Sequence, residues 1–366
     1  MQNCVDAIRT YFVKSNYDGV IVRIVYDVGK CEQYIFSVND NGSYNDKTIT
    51  GAQAYYYVEK QFKHYYHKSL FTAFSGMNYK DQYMAIKKCV PKQISWIYRN
   101  AIHRIIRGCY KADVSSAYPY EGSKLLPTLH DSKKVKGESE PSQEYPFAFY
   151  TKSHHLAIYG ELDTRTWKDR KKWYSLYDEM YEDIDPNENE TILCKASEYT
   201  LHRTFEDIYH KKINGDKLAK LGMNACIGYF QKNSSPKLSH LSAVIIARCC
   251  QRMMDLSDKL EKEGNPVVFI ATDSLIWTGS YSDIATEDKY LGSFTYEYKN
   301  VKFYGLGPKA YQLELADGEV VTKYAGMKNG KEKDALEFAK LPELKGQSKY
   351  IVDKETGRIT IIDYGL

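Results

Sequence analysis

Apolar positions along the chain change their spacing several times, and each change predicts an element. Residues 17–38, YDGVIVRIVYDVGKCEQYIFSV, gather β-forming residues on either side of a Gly-Lys break and predict a hairpin. From 51 to 105 apolar residues recur near helical spacing, in YYYVEKQFKHYYH and YMAIKKCV, and predict a mostly helical stretch. The texture changes near residue 106. RGCYKADVSSAYPY reads as strand, turn and helix start, whereas LPTLHDSKKVKGESEPSQEYP, residues 126–146, reads as a polar loop. FAFYT and LAIYGEL return to strand, and the charged residues 166–190 end in DIDPNENE, a solvated loop. SEYTLHRTFEDIYHKKINGDKLAKLGMNACIGYF holds two helices divided near Asn214–Gly215. HLSAVIIARCCQRMMDLSDKLEKEG predicts a long amphipathic helix ended by Gly264. VVFIATDSLIW then runs an apolar strand, Val267 to Ile270, into Thr272–Asp273–Ser274, and YLGSFTYEYKNVKFYGLGPKAYQLEL reads as a sheet run. There is no internal repeat.

Composition narrows the class. A length of 366 residues with 43% hydrophobic residues supports two or three domains, or one domain with insertions. Net charge is only +4, so a nucleic-acid surface would have to come from local clustering. The eight cysteines include no C-x-x-C pair, which speaks against a zinc site of that spacing and for a reducing, cytosolic setting. The N-terminus MQNCVDAIRTYFVKSN lacks a basic start followed by an apolar run, and no apolar stretch approaches the roughly 18–20 residues of a membrane span. Tyrosine is frequent, 34 of 366. An AT-rich genome explains that as well as stacking on nucleic acid does.

Three stretches carry candidate chemistry. In ADVSSAYP, residues 112–119, Asp113 follows a strand and stands where a rigid scaffold can present a metal ligand together with a backbone carbonyl; a helix N-cap would use the same residue. In KLAKLGMNACIGYF, Lys220 and Asn224 are four apart on a helix, with Lys217 and Gly228 extending the stripe. That face could grip a triphosphate, or simply be solvated. Gly222 and Gly228 each cost about 1 kcal/mol inside a helix, which close approach of a partner would explain. In the third stretch Asp273 is a metal ligand or a hairpin-turn residue, yet the turn lacks the Gly or Asn that hairpins favour.

Taken in order, Asp113-Val-Ser-Ser-Ala-Tyr-Pro119, Lys220-Leu-Gly-Met-Asn-Ala-Cys-Ile-Gly228, Ala271-Thr-Asp-Ser274 and Lys309-Ala-Tyr311 resemble motifs A (DxxSLYP), B (KxxxNSxYG), C (DTDS) and KxY of family B DNA polymerases. The nearest likeness is to the protein-primed branch of small phages and linear plasmids. Arg107-Gly-Cys-Tyr110 resembles the YxGG element before motif A. The resemblance covers about 105–315. Motif A has Ala117 for Leu, motif B has Ala225 for Ser and Ile227 for Tyr, and motif C has lost its first Asp at Ala271. The Asp that the family uses as the second shared metal ligand is retained as Asp273. The residues before motif A are few for an exonuclease and contain no Asp-x-Glu pair, so no proofreading is expected.

The resemblance implies an α+β right-hand polymerase fold. It would comprise a small N-terminal α/β domain (1–105), a palm with an antiparallel sheet (106–199 and 236–311), helical fingers (200–235) and a small thumb (312–366). It implies DNA-directed addition of dNTPs to a 3′-OH or protein hydroxyl with two Mg²⁺ ions, Mn²⁺ being able to substitute. Asp113 and Asp273 would be catalytic and, with the Val114 carbonyl, would hold metal. Ser116, Ala117, Tyr118, Lys217, Lys220 and Asn224 would meet the nucleotide, Tyr118 lying under its sugar. Thr272, Ser274, Lys309 and Tyr311 would meet primer DNA. Implied partners are primer-template DNA, dNTPs and a priming protein, with no membrane, in the cytoplasm of a bacterial or phage-infected cell. The short interval between motifs B and C leaves the DNA-encircling hairpin trimmed or absent, so low processivity is expected. The tail KYAGMKNGKEKD suits backbone contacts. Two other readings stand beside this one: a template-independent or short-tract nucleotidyltransferase, and an inactive nucleic-acid-binding relative.

Overall fold

The computed structural model describes residues 8–14, 21–27, 32–34, 36–38, 44–47, 51–75, 80–98, 101, 104–173, 177–178, 180–230, 237–307, 310–324, 348–352 and 359–363, with side chains only between 54 and 323. The segment before residue 48 contributes strands β1 (Ile8–Lys14), β2 (Ile21–Asp27), β3 (Glu32–Tyr34), β4 (Phe36–Val38) and β5 (Tyr44–Lys47). β2 and β3 pair antiparallel, the hairpin that residues 17–38 predict. Helices α1 (Gly51–Tyr66), α2 (Leu70–Phe74) and α3 (Lys80–Lys88) follow, and then β6 (Ser95–Ile97).

A seven-stranded sheet positions the site. Its order is β17 (Val320–Tyr324), β16 (Ala310–Glu314), β15 (Phe294–Gly307), β7 (Ile105–Val114), β14 (Ser274–Thr278), β13 (Val267–Ala271) and β6. The pairings along this sheet are antiparallel. β6 lies before residue 105, so the sheet takes its edge strand from the expected N-terminal domain. One face packs Ala112, Val114, Ile270, Leu275 and Trp277 into the main core. The other gathers Ile97, Cys109, Phe269, Ile276, Phe303 and Tyr311 into a second cluster.

A second sheet, of five strands, runs β11 (Leu162–Asp163), β10 (His155–Ile158), β9 (Phe147–Tyr150), β12 (Glu190–Ala196) and β8 (Pro127–Lys136). β8 corrects the reading of 126–146 as loop. It is an edge strand, so Lys133, Lys134 and Lys136 face water without cost, and Pro127 sits at its first residue, where no ladder donor is needed. Helix α4 (Ala117–Gly122) follows β7, and α5 (His202–Ile213) and α6 (Lys217–Phe230) divide at Gly215, whose φ is +92°.

Helix α7 (Ser239–Lys262) ends before Gly264, as its glycine predicts, but its first half is not amphipathic: every residue from Ser239 to Cys250 is buried. A helix apolar nearly all round belongs in a core. Its Arg248 is 3% exposed and donates from Nε and Nη2 to Glu161 at 2.5 and 2.6 Å, tying the helix to the second sheet. The six described cysteines are buried free thiols. No helix among the described residues is long and apolar enough to cross a membrane.

Phe269 is fully buried, its ring 4.7 Å from that of Tyr311 and 5.8 Å from that of Phe303. Phe269→Ala should therefore lower stability by about 3–5 kcal/mol in urea unfolding; a loss under about 1 kcal/mol would show that the sheet is not packed as described.

Candidate active site

Asp113 stands at the end of β7, between β14 and β15. It lies directly opposite Ser274 on one side and Thr295 on the other. The next amide, Val114 N–H, donates to the Asp273 carbonyl at 2.7 Å, so the β13–β14 turn is tied to the β7 end. Thr272 and Asp273 are the two residues of that turn, between paired Ala271 and Ser274.

The turn is strained. Thr272 has φ +56°, and the Asp273 amide donates to the Ala271 carbonyl only two residues back, at 2.5 Å. A β-branched residue rarely adopts positive φ, and such strain persists only where the surroundings over-determine it. Here the Thr272 amide is held by the Ile94 carbonyl at 2.8 Å. The sequence left a choice between hairpin turn and acid-bearing site. The geometry joins them: it is a hairpin turn without Gly or Asn, and it sets a second carboxylate beside Asp113. A second positive φ lies across from it, at Ser116 (+55°), just before α4.

Burial raises the proton affinity of both half-buried carboxylates. Asp273 is pushed up to about 7, first by desolvation and then by the charge of Asp113. Asp113 also rises by desolvation, opposed by the charges of Lys111, Lys289, Lys212 and Lys323. These lysines act on Asp113 through charge rather than a direct hydrogen bond. Lys111 is 4% exposed and pairs with Glu297, and burial lowers its pKa to about 8. Lys212, in the last turn of α5, donates to Ser116 Oγ at 2.6 Å, and its pKa falls through desolvation. None of the four lysines is in the motif set. Strand alternation could have found Lys111, since residues two apart share a face; no local signal marks Lys212, Lys289 or Lys323, which tertiary folding brings in.

The other expected site residues divide by exposure. Lys220, Asn224 and Gly228 are exposed along one stripe of α6, and Lys220 lies close enough for its charge to reach Lys212. The side chain of Lys217, and Lys309 altogether, lie outside the described residues. Ala117 and Tyr118 are buried in the first turn of α4. The Tyr118 hydroxyl makes no well-formed hydrogen bond, and the Gln93 side chain is the polar group beside it. Ser274 is buried, its hydroxyl 3.4 Å from the Ala271 carbonyl, and Tyr311 is 5% exposed against Phe269. Tyr311 belongs to the floor under the carboxylates; burial raises its pKa, with smaller contributions from Tyr298 and from both acids. Gly222 does accommodate a close approach, but the partner is intramolecular: a Cβ there would lie 3.2 Å from the Tyr57 ring of α1, whereas one at Gly228 would meet open space. Among the described residues no three His, Cys, Asp or Glu side chains cluster, so the two carboxylates stand without a third acid or histidine.

The fold is similar to that of solved structures. Phi29 DNA polymerase in its ternary complex with primer-template DNA and incoming nucleotide superposes with a TM-score of 0.60 at 16% identity, over 87% of this chain and 67% of that one. The chain shares its fold with phi29 DNA polymerase. The orthorhombic crystal form of that enzyme gives a TM-score of 0.59 at 17% identity over 85% of this chain, and the complex with single-stranded DNA gives 0.56. The chain spans 61% of the length of the enzyme in that last complex. No protein-family model matches the chain, and neither does any curated protein sequence.

The electrostatics predict a pH dependence. The folded chain holds the Asp273 proton more tightly than the unfolded chain does, so this group's contribution to stability is complete below about pH 4 and is lost as pH rises through about 7. Without divalent ions, Asp273→Asn should stabilise the protein at pH 8 by about 1–2 kcal/mol, screened by solvent and nearby lysines, and by nothing near pH 4. Thermal melts across this range check it; an equal effect at both ends would contradict the stated cause.

Proposed function

We propose that the chain is a template-directed DNA polymerase of the protein-primed, family B type. The observation that carries this reading is the pair Asp113, at the end of β7, and Asp273, in the β13–β14 turn tied to that end, within a phi29-polymerase-like fold. In this reading β15, β7, β14 and β13 form the palm sheet, α5 and α6 are the fingers, and the edge strand β17 begins a small thumb.

The donor set fits divalent metal. The carboxylates are desolvated, their proton affinity is raised, and no hydrogen-bonded base satisfies Asp113. Asp113 and Asp273, with the Val114 carbonyl, are the groups that would hold two Mg²⁺ ions. When bound, such ions activate a primer 3′-oxygen and stabilise leaving pyrophosphate. The chain's own residues supply the rest. Lys212 and Lys220 set positive charge on the α5–α6 side of the carboxylates, where a triphosphate gains most from it. Asn224, one turn along, can orient the nucleotide. Tyr118 is held in the first turn of α4, where its ring would crowd a ribose 2′-OH. Proofreading is absent from this reading, processivity is low, and a protein hydroxyl is an admissible primer.

One observation favours the second reading, untemplated or short-tract nucleotide addition. Ile227 replaces the motif B tyrosine and is 1% exposed in the core, so no ring at that position can stack on a base pair. The third reading, an inactive binding protein, draws on Ala271 alone.

Primer extension with single dNTPs on a heteropolymeric template separates them. Incorporation should match the template, Asp113→Ala and Asp273→Ala should each reduce it to background, and Lys220→Ala should raise KM for dNTP about tenfold or more. Incorporation indifferent to the template would favour the second reading. No incorporation with Mg²⁺ or Mn²⁺ would favour the third.

A further inference from the structure

We propose that Lys111 is a resident counter-ion of the Asp113–Asp273 pair and that its charge holds down the affinity of this site for a free divalent cation. The inference rests on reading the pair as a metal site.

Ala271, Ser274 and Asp113 lie directly opposite one another on β13, β14 and β7. Residues opposed in this way share a face of the sheet. An acid at 271, as in the DTDS pattern, would add a third carboxylate to the face that carries Asp113. The chain has a methyl group there. Two residues back on β7, on the same face, stands Lys111, its side chain 5% exposed. The ammonium donates to Glu297. Glu297 is the extra residue where the β15–β7 register shifts between Tyr296 and Tyr298, and such bulges re-aim a side chain. The placement of Lys111 thus depends on the bulge of the neighbouring strand β15.

Charge counting gives the consequence. Three acids on that face without a lysine would carry −3, whereas Asp113, Asp273 and Lys111 carry −1, or −2 when Glu297 is counted with them. Lys212, Lys289 and Lys323 surround the same pair and leave little net negative charge to attract a free divalent ion. Lys111 also repels it directly, and partial burial strengthens that repulsion.

Isothermal titration of Mn²⁺ into the full chain without nucleotide tests this. Lys111→Met, a substitution of similar length that removes the charge, and Ala271→Asp, which leaves Lys111 in place, should each bind Mn²⁺ about tenfold or more tighter than wild type. Adding Asp273→Asn to either should remove the gain. A purely structural role for Lys111 would move the melting temperature but not the affinity. Equal or weaker Mn²⁺ binding in both variants would overturn the proposal. A parallel titration of dCTP, with Mn²⁺ or with EDTA, separates the two levels. If Mn²⁺ strengthens dCTP binding to wild type but not to Asp273→Asn while Lys111→Met and Ala271→Asp leave Mn²⁺ binding unchanged, the metal site stands and the counter-ion role fails. If Asp273→Asn alters neither titration, the metal site itself fails and takes the proposal with it.

Discussion

Two carboxylates that repel each other must be kept adjacent, and most of the architecture around them serves that constraint. The register that sets Ser274 opposite Asp113, and the hydrogen bond from the Val114 amide to the Asp273 carbonyl, fix their spacing through backbone alone. Strain at Thr272 and Ser116 is the local consequence. Below the acids, Phe269, Phe303 and Tyr311 form a closed apolar floor that lets neither side chain retreat. Around them, lysines from β7, α5, β17 and the loop before β15 offset the repulsion. The site is rigid from beneath and cationic at its rim, which suits a centre that handles phosphates.

The segment before residue 105 is woven into this scaffold. Tyr57 of α1 approaches Gly222 of α6 and bonds Asp216, while the Tyr55 ring lies 5.0 Å from that of Tyr229. Gln61 and Tyr65 bond Asp207 of α5. α1 thus braces both helices that carry Lys212, Lys220 and Asn224, and β6 closes the edge of the sheet that carries Asp273. A segment with no motif of its own stabilises the two elements with the most chemistry.

Much of this was legible in the residues, for a physical reason. Asp113, Lys220, Asn224 and Asp273 sit in stretches whose local form is dictated by neighbours a few positions away, so strand, turn and helix could be read and the motif order recognised. The edge strand β8 was missed because its lysines look like loop until a neighbouring strand is known. The full burial of the first half of α7 was missed because a helix looks amphipathic until both sides are seen covered. The fate of Gly222 was half legible: close approach was foreseeable, but that Tyr57 would make it depends on contacts far apart in the chain. Lys111 was within reach of the period-two rule, yet its ion pair with a bulged glutamate was not, because bulges leave no dependable mark in sequence.

The proposed function makes Asp113 and Asp273 the reacting centre. A crystal structure of the chain with a chain-terminated primer on template, matching dNTP and Mn²⁺, read through the anomalous signal of manganese, tests it most directly. The account predicts two ions about 3.5–4 Å apart, both touching Asp113 and Asp273, with the triphosphate turned toward Lys212 and Lys220. Nucleotide bound elsewhere, or no manganese at the carboxylate pair, would contradict it.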